Sequence, residues 1–343
     1  MKIILNQGIS HLLVIKTENI RYLSNFTGED SFLLISNDKK TLFVDSRFTI
    51  QAKEEVYNDI EVVEYKPPIE NFIFENYKID KLGLEDTIKY NLYTLFSQKF
   101  GIDNVKVIKD FVENFRTIKN DNEITNILKA EEISEKSFIK TLEYIKEGVT
   151  EKDLSIELEY NMKKFGGEKN GFDTIVLFQE RGALPHGKPG DRKLKKNEAI
   201  IFDFGTIYNG YHSDCTRTVL FGNMDSEFMN IFNIVKDAQI MGINSVKENL
   251  KGKEVDEISR NYIKEKGFGD YFGHGLGHGV GLEIHERPFI SPRGEEELKE
   301  NMVITIEPGI YIPNKFGIRI EDLIVVKKDG CVNLTKLDKY IKI

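Results

Sequence analysis

Three histidines lie close together in the glycine-rich segment GHGLGHGVGLEIHE at residues 273–286. His274, His278 and His285 are half of the six histidines in the chain, and five glycines stand among them. Imidazole binds transition metals and transfers protons near neutral pH, and glycine lets the backbone approach a bound group closely. The segment matches neither the dinucleotide-binding pattern G-x-G-x-x-G nor the zinc motif H-E-x-x-H. It therefore predicts a metal or catalytic site, and a flexible loop with incidental histidines is the alternative.

Two aspartates add carboxylates to this set. Asp203 lies in the apolar segment AIIFDFG, where an isolated carboxylate is costly to bury. Asp214 follows eleven positions later, after the polar segment TIYNGY, which predicts a hairpin that returns the second carboxylate beside the first. Adjacent carboxylates repel unless they share a proton, a basic side chain or a divalent metal. The two aspartates alone leave a metal site and an ion pair with Arg217 equally open.

Two glutamates complete a ligand set. Glu307 lies in MVITIEPGIYI and Glu321 in GIRIEDLIVV, both predicted to be apolar strands. Either glutamate alone would more often be a structural partner. Four carboxylates and one imidazole, however, form a mostly oxygen-donor set that suits two divalent ions such as Mn²⁺, Co²⁺, Fe²⁺ or Zn²⁺. Two-metal hydrolysis is therefore the predicted chemistry.

The elements that must position these residues change character near residue 118. Before it, strand-like segments such as HLLVI, SFLLIS and TLFVD alternate with helical ones, which predicts an α/β unit. After it, amphipathic helices alternate with β-rich segments, which predicts an α+β unit. The predicted helices span 88–99, a segment capped by Asp121 or Asn122, 151–164 entered through Thr150, about 225–249, and 254–266.

Several motifs, taken in order, resemble the proline-specific pita-bread metallopeptidases, Xaa-Pro aminopeptidase and Xaa-Pro dipeptidase (prolidase). They are FDFG with SDCTRT, LPHGKP, GHGLGHGVGLEIHE, ITIEPGIY and GIRIED. In the first part, NIRYLSNFTG and LFVDSRFTIQA resemble the creatinase-like N-terminal domain of the same family. The resemblance implies an α+β pita-bread catalytic domain at 119–343, preceded by a smaller α/β creatinase-like domain at 1–118.

The resemblance also assigns roles to residues of this chain. It implies that two divalent ions are bound, Mn²⁺ first, with Co²⁺, Fe²⁺ and Zn²⁺ open, and that Asp214 and Glu321 bridge them. Among catalytic residues, Glu307 would also move a proton, and His285 would contact the substrate and stabilise the tetrahedral intermediate. The remaining catalytic residues are His186 and His274, which would line and support the substrate pocket, and Arg319, which would orient the metal-binding carboxylates. The implied metal ligands are Asp203, Asp214, His278, Glu307 and Glu321.

The predicted function is hydrolysis of the Xaa-Pro bond at the N-terminus of peptides, with a slight preference for Xaa-Pro-Yaa substrates. A strict Xaa-Pro dipeptidase is the alternative, because Gln179, Glu180 and Arg181, expected at the rim of the site, could narrow it or bind a free carboxylate. The N-terminal domain and LPHG disfavour methionine aminopeptidase. From another class, a non-catalytic peptide-binding relative is disfavoured by the complete ligand set.

Composition bounds the partners and the compartment. A net charge of −8 and a pI near 5.5 disfavour nucleic acid and anionic membranes, which bind through clusters of Lys and Arg. The cysteine count of two is typical of a reduced compartment, and the first residues are too weakly apolar for a leader peptide. We therefore expect a cytoplasmic protein. The resemblance implies that its partner is a proline-containing peptide. The resemblance further implies a homodimer.

Overall fold

The computed structural model describes residues 8–343. The first seven residues, on which the expectation of a chain without a leader peptide rests, lie outside the described residues. Contacts within the chain divide it into two compact units, Met1–Arg116 and Thr117–Ile343. In the described part of the chain, no helix is both long enough and apolar enough to cross a membrane.

The first unit is built on one mixed sheet. Its strands are β1 (His11–Val14), β2 (Phe32–Ile35), β3 (Lys40–Val44), β4 (Ile60–Glu64), β5 (Leu82–Glu85) and β6 (Val105–Ile108), and its helices are α1 (Thr17–Ser24), α2 (Thr49–Glu55), α3 (Ile69–Asn76), α4 (Tyr90–Phe100) and α5 (Glu113–Arg116). The strands lie in the order β4-β3-β2-β1-β5-β6. Parallel pairs, such as β1 with β5 and β3 with β4, need crossover connections, which the intervening helices supply. Buried leucines alternate along β1 between two apolar clusters, with Leu12 in one and Leu13 in the other, so both faces of the sheet are covered.

The second unit combines antiparallel sheets with longer helices. Its helices are α6 (Asp121–Leu142), α7 (Glu151–Lys164), α8 (Ser226–Ser245) and α9 (Gly252–Glu265). Its strands are β7 (Ile175–Phe178), β8 (Glu198–Phe204), β9 (Ile207–Tyr208), β10 (Tyr211–His212), β11 (Cys215–Phe221), β12 (Gly277–Gly279), β13 (Glu286–Ile290), β14 (Val303–Ile306), β15 (Gly309–Ile312), β16 (Phe316–Arg319), β17 (Asp322–Lys327), β18 (Gly330–Asn333) and β19 (Ile341–Lys342). One sheet has the order β19-β11-β8-β7 and another the order β13-β12-β14-β17-β18, while β9 pairs with β10 and β15 with β16.

Local sequence determines where the helices of the second unit begin. The side chain of Thr150 accepts from the backbone N–H of Asp153, whose carboxylate accepts from the N–H of Thr150, as the sequence predicts. Helix α6 begins with the same reciprocal arrangement, but its cap is Asn120 paired with Glu123. The predicted cap at Asp121 or Asn122 was therefore wrong by one or two positions, because the glutamate that completes the motif lies three residues after Asn120.

The hairpin expected between Asp203 and Asp214 is present. Asn209 and Gly210 connect β9 to β10 with φ of 47° and 77°, the left-handed conformations that a tight hairpin turn requires. Beyond this hairpin, β8 and β11 run antiparallel with Asp203 opposite Thr216. Asp214 immediately precedes β11, so the two aspartates lie at the same end of the paired strands.

The two glutamates lie at breaks between strands, which corrects the prediction that each sits within a continuous strand. Glu307 separates β14 from β15, and Glu321 separates β16 from β17. The break after Glu307 has a local cause, because Pro308 has no N–H to donate to a neighbouring strand. At each break the chain leaves one sheet and enters another. The glutamate side chains can therefore face the ligands carried by β8 and β12.

Candidate active site

The predicted site residues line one cavity of about 1030 Å³ in the second unit. They come from distant parts of the sequence and from both sheets. The short strand β12 brings in the imidazole, and it runs so close to β14 that a Cβ at Gly277 would lie 2.0 Å from the Thr305 carbonyl oxygen. The residues brought together are His186, Asp203, Asp214, His274, His278, His285, Glu307, Arg319 and Glu321.

His278 lies at the centre of the acidic cluster. Its Nε2 is 3.5 Å from Asp214 Oδ2 and 3.5 Å from Glu307 Oε1. Ligating atoms of Asp214, His278 and Glu321 all lie within 4.8 Å of one another. Asp203 approaches from β8, where its Oδ2 accepts from the guanidinium of Arg319. The arrangement concentrates four carboxylates around one imidazole.

Burial makes this concentration of charge unfavourable without a cation. Burial is the largest cause that raises the pKa of Asp214 well above its usual value, and the neighbouring charges of Glu321, Asp203 and Glu307 raise it further. The pKa of Glu307 is also raised well above its usual value, by burial and then by Glu321. For Glu321, burial and then Asp203 raise the pKa to about 8, although Thr216 donates to its Oε2 at 2.6 Å. The carboxylates would thus hold protons unless cations replaced them.

The ring of His278 provides the test of whether these residues fit a metal. Its Nδ1 lies 3.0 Å from the carbonyl oxygen of Gly279, which fixes the proton on Nδ1 and leaves the lone pair on Nε2. Burial is the main cause lowering the pKa of His278 to about 3, so the ring stays neutral. When the carboxylates are ionised, an acceptor nitrogen therefore faces acceptor oxygens of Asp214 and Glu307. A divalent cation satisfies all three, and the donor set fits such an ion.

Arg319 connects the acidic cluster to the histidines. Its Nε donates to Thr216 Oγ1 at 3.2 Å, and its Nη1 donates to the hydroxyl of Tyr311 at 2.7 Å. Thr216 in turn donates to Glu321. Sequence reasoning missed Thr216 and Tyr311 as site residues, although both lie inside the motifs SDCTRT and ITIEPGIY. A hydroxyl next to a ligand motif was the available signal.

The three other histidines of the site differ in whether their ring nitrogens are already hydrogen-bonded within the protein. Both ring nitrogens of His274 are engaged, because Nδ1 lies 2.8 Å from the Gly275 carbonyl and Nε2 lies 2.8 Å from the Tyr311 hydroxyl. His285 stacks edge-on against His278 with ring centroids 4.3 Å apart. Burial is the main cause lowering the pKa of His285, and a smaller lowering comes from His186, which therefore lies near it. His285 and His186 can face a substrate, whereas His274 is held by Tyr311.

Two family profiles match successive parts of the chain. Residues 125–328 match metallopeptidase family M24, and residues 2–118 match the creatinase/prolidase N-terminal domain. The Xaa-Pro dipeptidase of Pyrococcus furiosus is 40% identical over 336 residues, which cover 97% of this chain and 95% of the relative. The chain belongs to metallopeptidase family M24.

Solved structures of similar proteins agree with membership of family M24. An Xaa-Pro dipeptidase from Bacillus anthracis has a TM-score of 0.96 and 38% identity, and the match covers 99% of this chain and 97% of that one. An X-Pro aminopeptidase from Thermotoga maritima has a TM-score of 0.90 and 41% identity, with 98% of each chain covered. The predicted pita-bread fold with a creatinase-like N-terminal domain is confirmed, and so is the prediction of a peptidase.

The residues expected at the rim of the M24 site are directed elsewhere. Gln179 accepts from the backbone N–H of Ala199, and Glu180 pairs with Arg192. Arg181 pairs with Glu151, whose side chain is fully buried. None of Gln179, Glu180 and Arg181 is among the residues that line the cavity in the described part of the chain. The expectation that they could narrow the pocket or bind a free carboxylate was therefore wrong.

Proposed function

We propose that this chain is a dinuclear-metal Xaa-Pro dipeptidase. The observation that carries the proposal is the facing of three acceptors, His278 Nε2 and carboxylate oxygens of Asp214 and Glu307, in a cavity with the remaining candidate ligands. The proposed metal ligands are Asp203, Asp214, His278, Glu307 and Glu321. Manganese is the proposed ion, and cobalt, iron and zinc suit the same ligands.

When bound, two divalent ions would polarise a peptide carbonyl and lower the pKa of water at the site. The side chains of this protein supply the remaining functions. Glu307 holds the proton that water loses and passes it to the leaving nitrogen. His285, neutral at pH 7, donates a hydrogen bond to the carbonyl oxygen as negative charge develops on it. Arg319 keeps Asp203 in place through their hydrogen bond.

The names of the relatives favour a dipeptidase over the aminopeptidase that the sequence patterns favoured. Proteins named Xaa-Pro dipeptidase match nearly the full length of this chain in Pyrococcus furiosus and in Bacillus anthracis. Because an X-Pro aminopeptidase from Thermotoga maritima is also similar, aminopeptidase activity is the second candidate function of this chain. Lys152 and Lys188 also line the cavity, and either ammonium could pair with the free carboxylate of a dipeptide.

Three peptides and one amide distinguish these activities. We expect the manganese-loaded protein to hydrolyse Ala-Pro with a kcat/KM at least about tenfold above that for Ala-Pro-Ala, because only the dipeptide places its carboxylate within the cavity. Ala-prolinamide, which has the same shape without the charge, should be cleaved at the slower rate. Ala-Ala-Ala is the control for proline specificity.

Each outcome assigns the activity. Faster hydrolysis of Ala-Pro-Ala than of Ala-Pro would make the protein an Xaa-Pro aminopeptidase. Hydrolysis of Ala-Ala-Ala faster than of every proline substrate would remove proline specificity. The same assay with each ion added to metal-free protein identifies the preferred metal. The homodimer, the cytoplasmic location and the domain limits at 118 and 119 stay predictions.

A further inference from the structure

A buried carboxylate outside the proposed metal site binds together three separate segments. The Glu151 side chain, at the start of α7, is 0% exposed. Its Oε1 accepts from the backbone N–H of Phe178 at 2.9 Å and from Arg181 Nε at 3.0 Å. Its Oε2 accepts from Arg181 Nε at 2.9 Å and from the backbone N–H of Gly190 at 3.0 Å. Glu151 thus connects α7 to the end of β7, to Arg181 and to the loop that ends at Gly190.

Arg181 makes a second connection to the same loop. Its Nη2 donates to the carbonyl oxygen of Lys188 at 2.6 Å. The backbone of α7 adds another bond, from the N–H of Lys152 to the Gly190 carbonyl at 3.1 Å. The loop also runs directly against β7, because a Cβ at Gly187 would lie 2.7 Å from Leu177 Cδ1. Residues 187–190 are therefore held by the backbone of Lys152 and by Glu151, Arg181 and Leu177, and the last three do not line the cavity.

The segment that these contacts hold carries His186 into the cavity. His186 is exposed and lines the cavity with His285 and the proposed ligands. Just before it, the Pro185 carbonyl accepts from Arg319 Nη1 at 3.5 Å. On the side of the metal ligands, the backbone next to His186 is held by one long hydrogen bond from Arg319. On the other side, Glu151 and Arg181 hold Lys188 and Gly190 through shorter hydrogen bonds.

We infer that the Glu151–Arg181 pair is a positioning device for His186, a role that rests on the proposed function because it presumes that His186 meets the substrate. Arg181 binds Glu151 and Lys188 at once, which a planar guanidinium does well and a lysine ammonium does poorly. Neither residue touches the substrate. Displacing a contact group by about 1 Å is enough to lower activity by up to about a hundredfold.

A double-mutant cycle separates this role from a general contribution to stability. In the holoenzyme we expect Arg181→Met to lower kcat/KM by about tenfold to a hundredfold, chiefly through KM. His186→Ala should cause a similar loss. If Arg181 acts through His186, adding Arg181→Met to His186→Ala should change kcat/KM by less than about threefold, because contacting residues in one network are not additive. Arg181→Lys keeps the charge beside Glu151 and should fall between wild type and Arg181→Met.

Arg192 provides a matched control in the same stretch of chain. It binds Glu180 and Glu198, and among the described residues none of its side-chain hydrogen bonds reaches residues 185–190. Arg192→Met therefore also removes a guanidinium, in this case one with two carboxylate partners, but its effect on kcat/KM should be the same with and without His186. Thermal unfolding and metal content of every variant are measured beside the kinetics.

Amide hydrogen exchange tests the inference without any substrate. In metal-free protein, Arg181→Met should speed exchange at the amides of residues 186–188 and 190, and Arg192→Met should not. The inference is overturned if Arg181→Met lowers kcat/KM equally with and without His186, or if His186→Ala leaves kcat/KM unchanged. Unchanged amide exchange in residues 186–190 would also overturn it. If the wild type hydrolyses no Xaa-Pro peptide, the proposed function fails, and the exchange result alone decides whether Arg181 holds the loop.

Discussion

Two buried aspartates of the second unit show how the partner decides the role of a residue. The Asp322 carboxylate is 0% exposed, but it accepts from Arg217 at 2.7 Å and from Lys339, so its charge is balanced within the chain. Asp214 is almost as buried and faces His278, Glu307 and other carboxylates instead. The sequence left an ion pair between Arg217 and the two aspartates open. Arg217 instead binds Asp322. This leaves Asp203 and Asp214 available to a metal.

At the same scale, His285 separates metal binding from catalysis. Its ring contacts that of His278 and it lines the cavity, where the proposed function gives it a contact with the substrate. We expect His285→Ala to keep its metal and to lose about a hundredfold in kcat, since each tenfold step costs about 1.4 kcal/mol and an oxyanion contact is worth at least roughly two such steps.

Elemental analysis and steady-state kinetics on one preparation check this prediction. His285→Gln keeps a side-chain N–H and should recover part of the lost activity. If kcat is unchanged in His285→Ala, the histidine has no role in the reaction. If metal is lost with activity, the histidine supports the metal site.

At the scale of elements, the sequence predicts what local patterns determine. The Thr150 cap of α7 and the Asn209–Gly210 turn depend on neighbouring residues, so they can be predicted from the sequence. Glu307 and Glu321 were expected in continuous strands, because apolar residues lie on both sides of them. Which sheet each half of such a segment joins depends on contacts with distant strands, and sequence periodicity carries no information about that. The engagement of Arg181 by Glu151, thirty positions away, is hidden for the same reason.

Arg217 links several elements, and its removal should be costly. The guanidinium is fully buried, pairs with Asp322, and donates to the carbonyls of Glu321, Leu337 and Asp338. We expect Arg217→Met to lower the free energy of unfolding by about 3–5 kcal/mol, because the buried Asp322 carboxylate loses its guanidinium partner and keeps Lys339 and Asn333.

Urea unfolding of the metal-free protein measures this loss without a contribution from bound metal. Lys253→Met is the control, since Lys253 forms an exposed ion pair with Glu295, and its removal should leave the free energy of unfolding nearly unchanged. Equal stability of Arg217→Met and wild type would show that the ion pair contributes nothing to the fold.

At the scale of the whole molecule, the proposed site makes stability depend on metal. All five proposed ligands belong to the second unit, where two buried and two partly buried carboxylates lie close together and Arg319 pairs with Asp203. An ion that binds only the folded state stabilises it by about 2.7 kcal/mol at a hundred times its Kd. Removal of metal therefore withdraws this stabilisation, and the carboxylates must then take up protons at a pH above their usual pKa.

The last prediction concerns Asp214, whose carboxylate stabilises the fold when metal is bound and destabilises it when metal is absent. Asp214→Asn removes a carboxylate whose burial is unfavourable without metal, and it also removes one of the proposed ligands. With a chelator present at pH 7, we expect Asp214→Asn to melt at a higher temperature than wild type. Burial raises the pKa of Asp214 well above its usual value, so folding without metal must protonate this carboxylate, whereas the amide is neutral. With excess Mn²⁺, the order should reverse, because wild type gains the binding free energy and the variant does not. Asp173→Asn is the matched control, since Asp173 lines the same cavity but its side chain is 93% exposed, and both its metal content and its melting temperature should follow wild type. Differential scanning calorimetry with metal analysis provides the measurement, and an Asp214→Asn protein that binds as much metal as wild type and gains as much stability from it would exclude Asp214 from the ligand set.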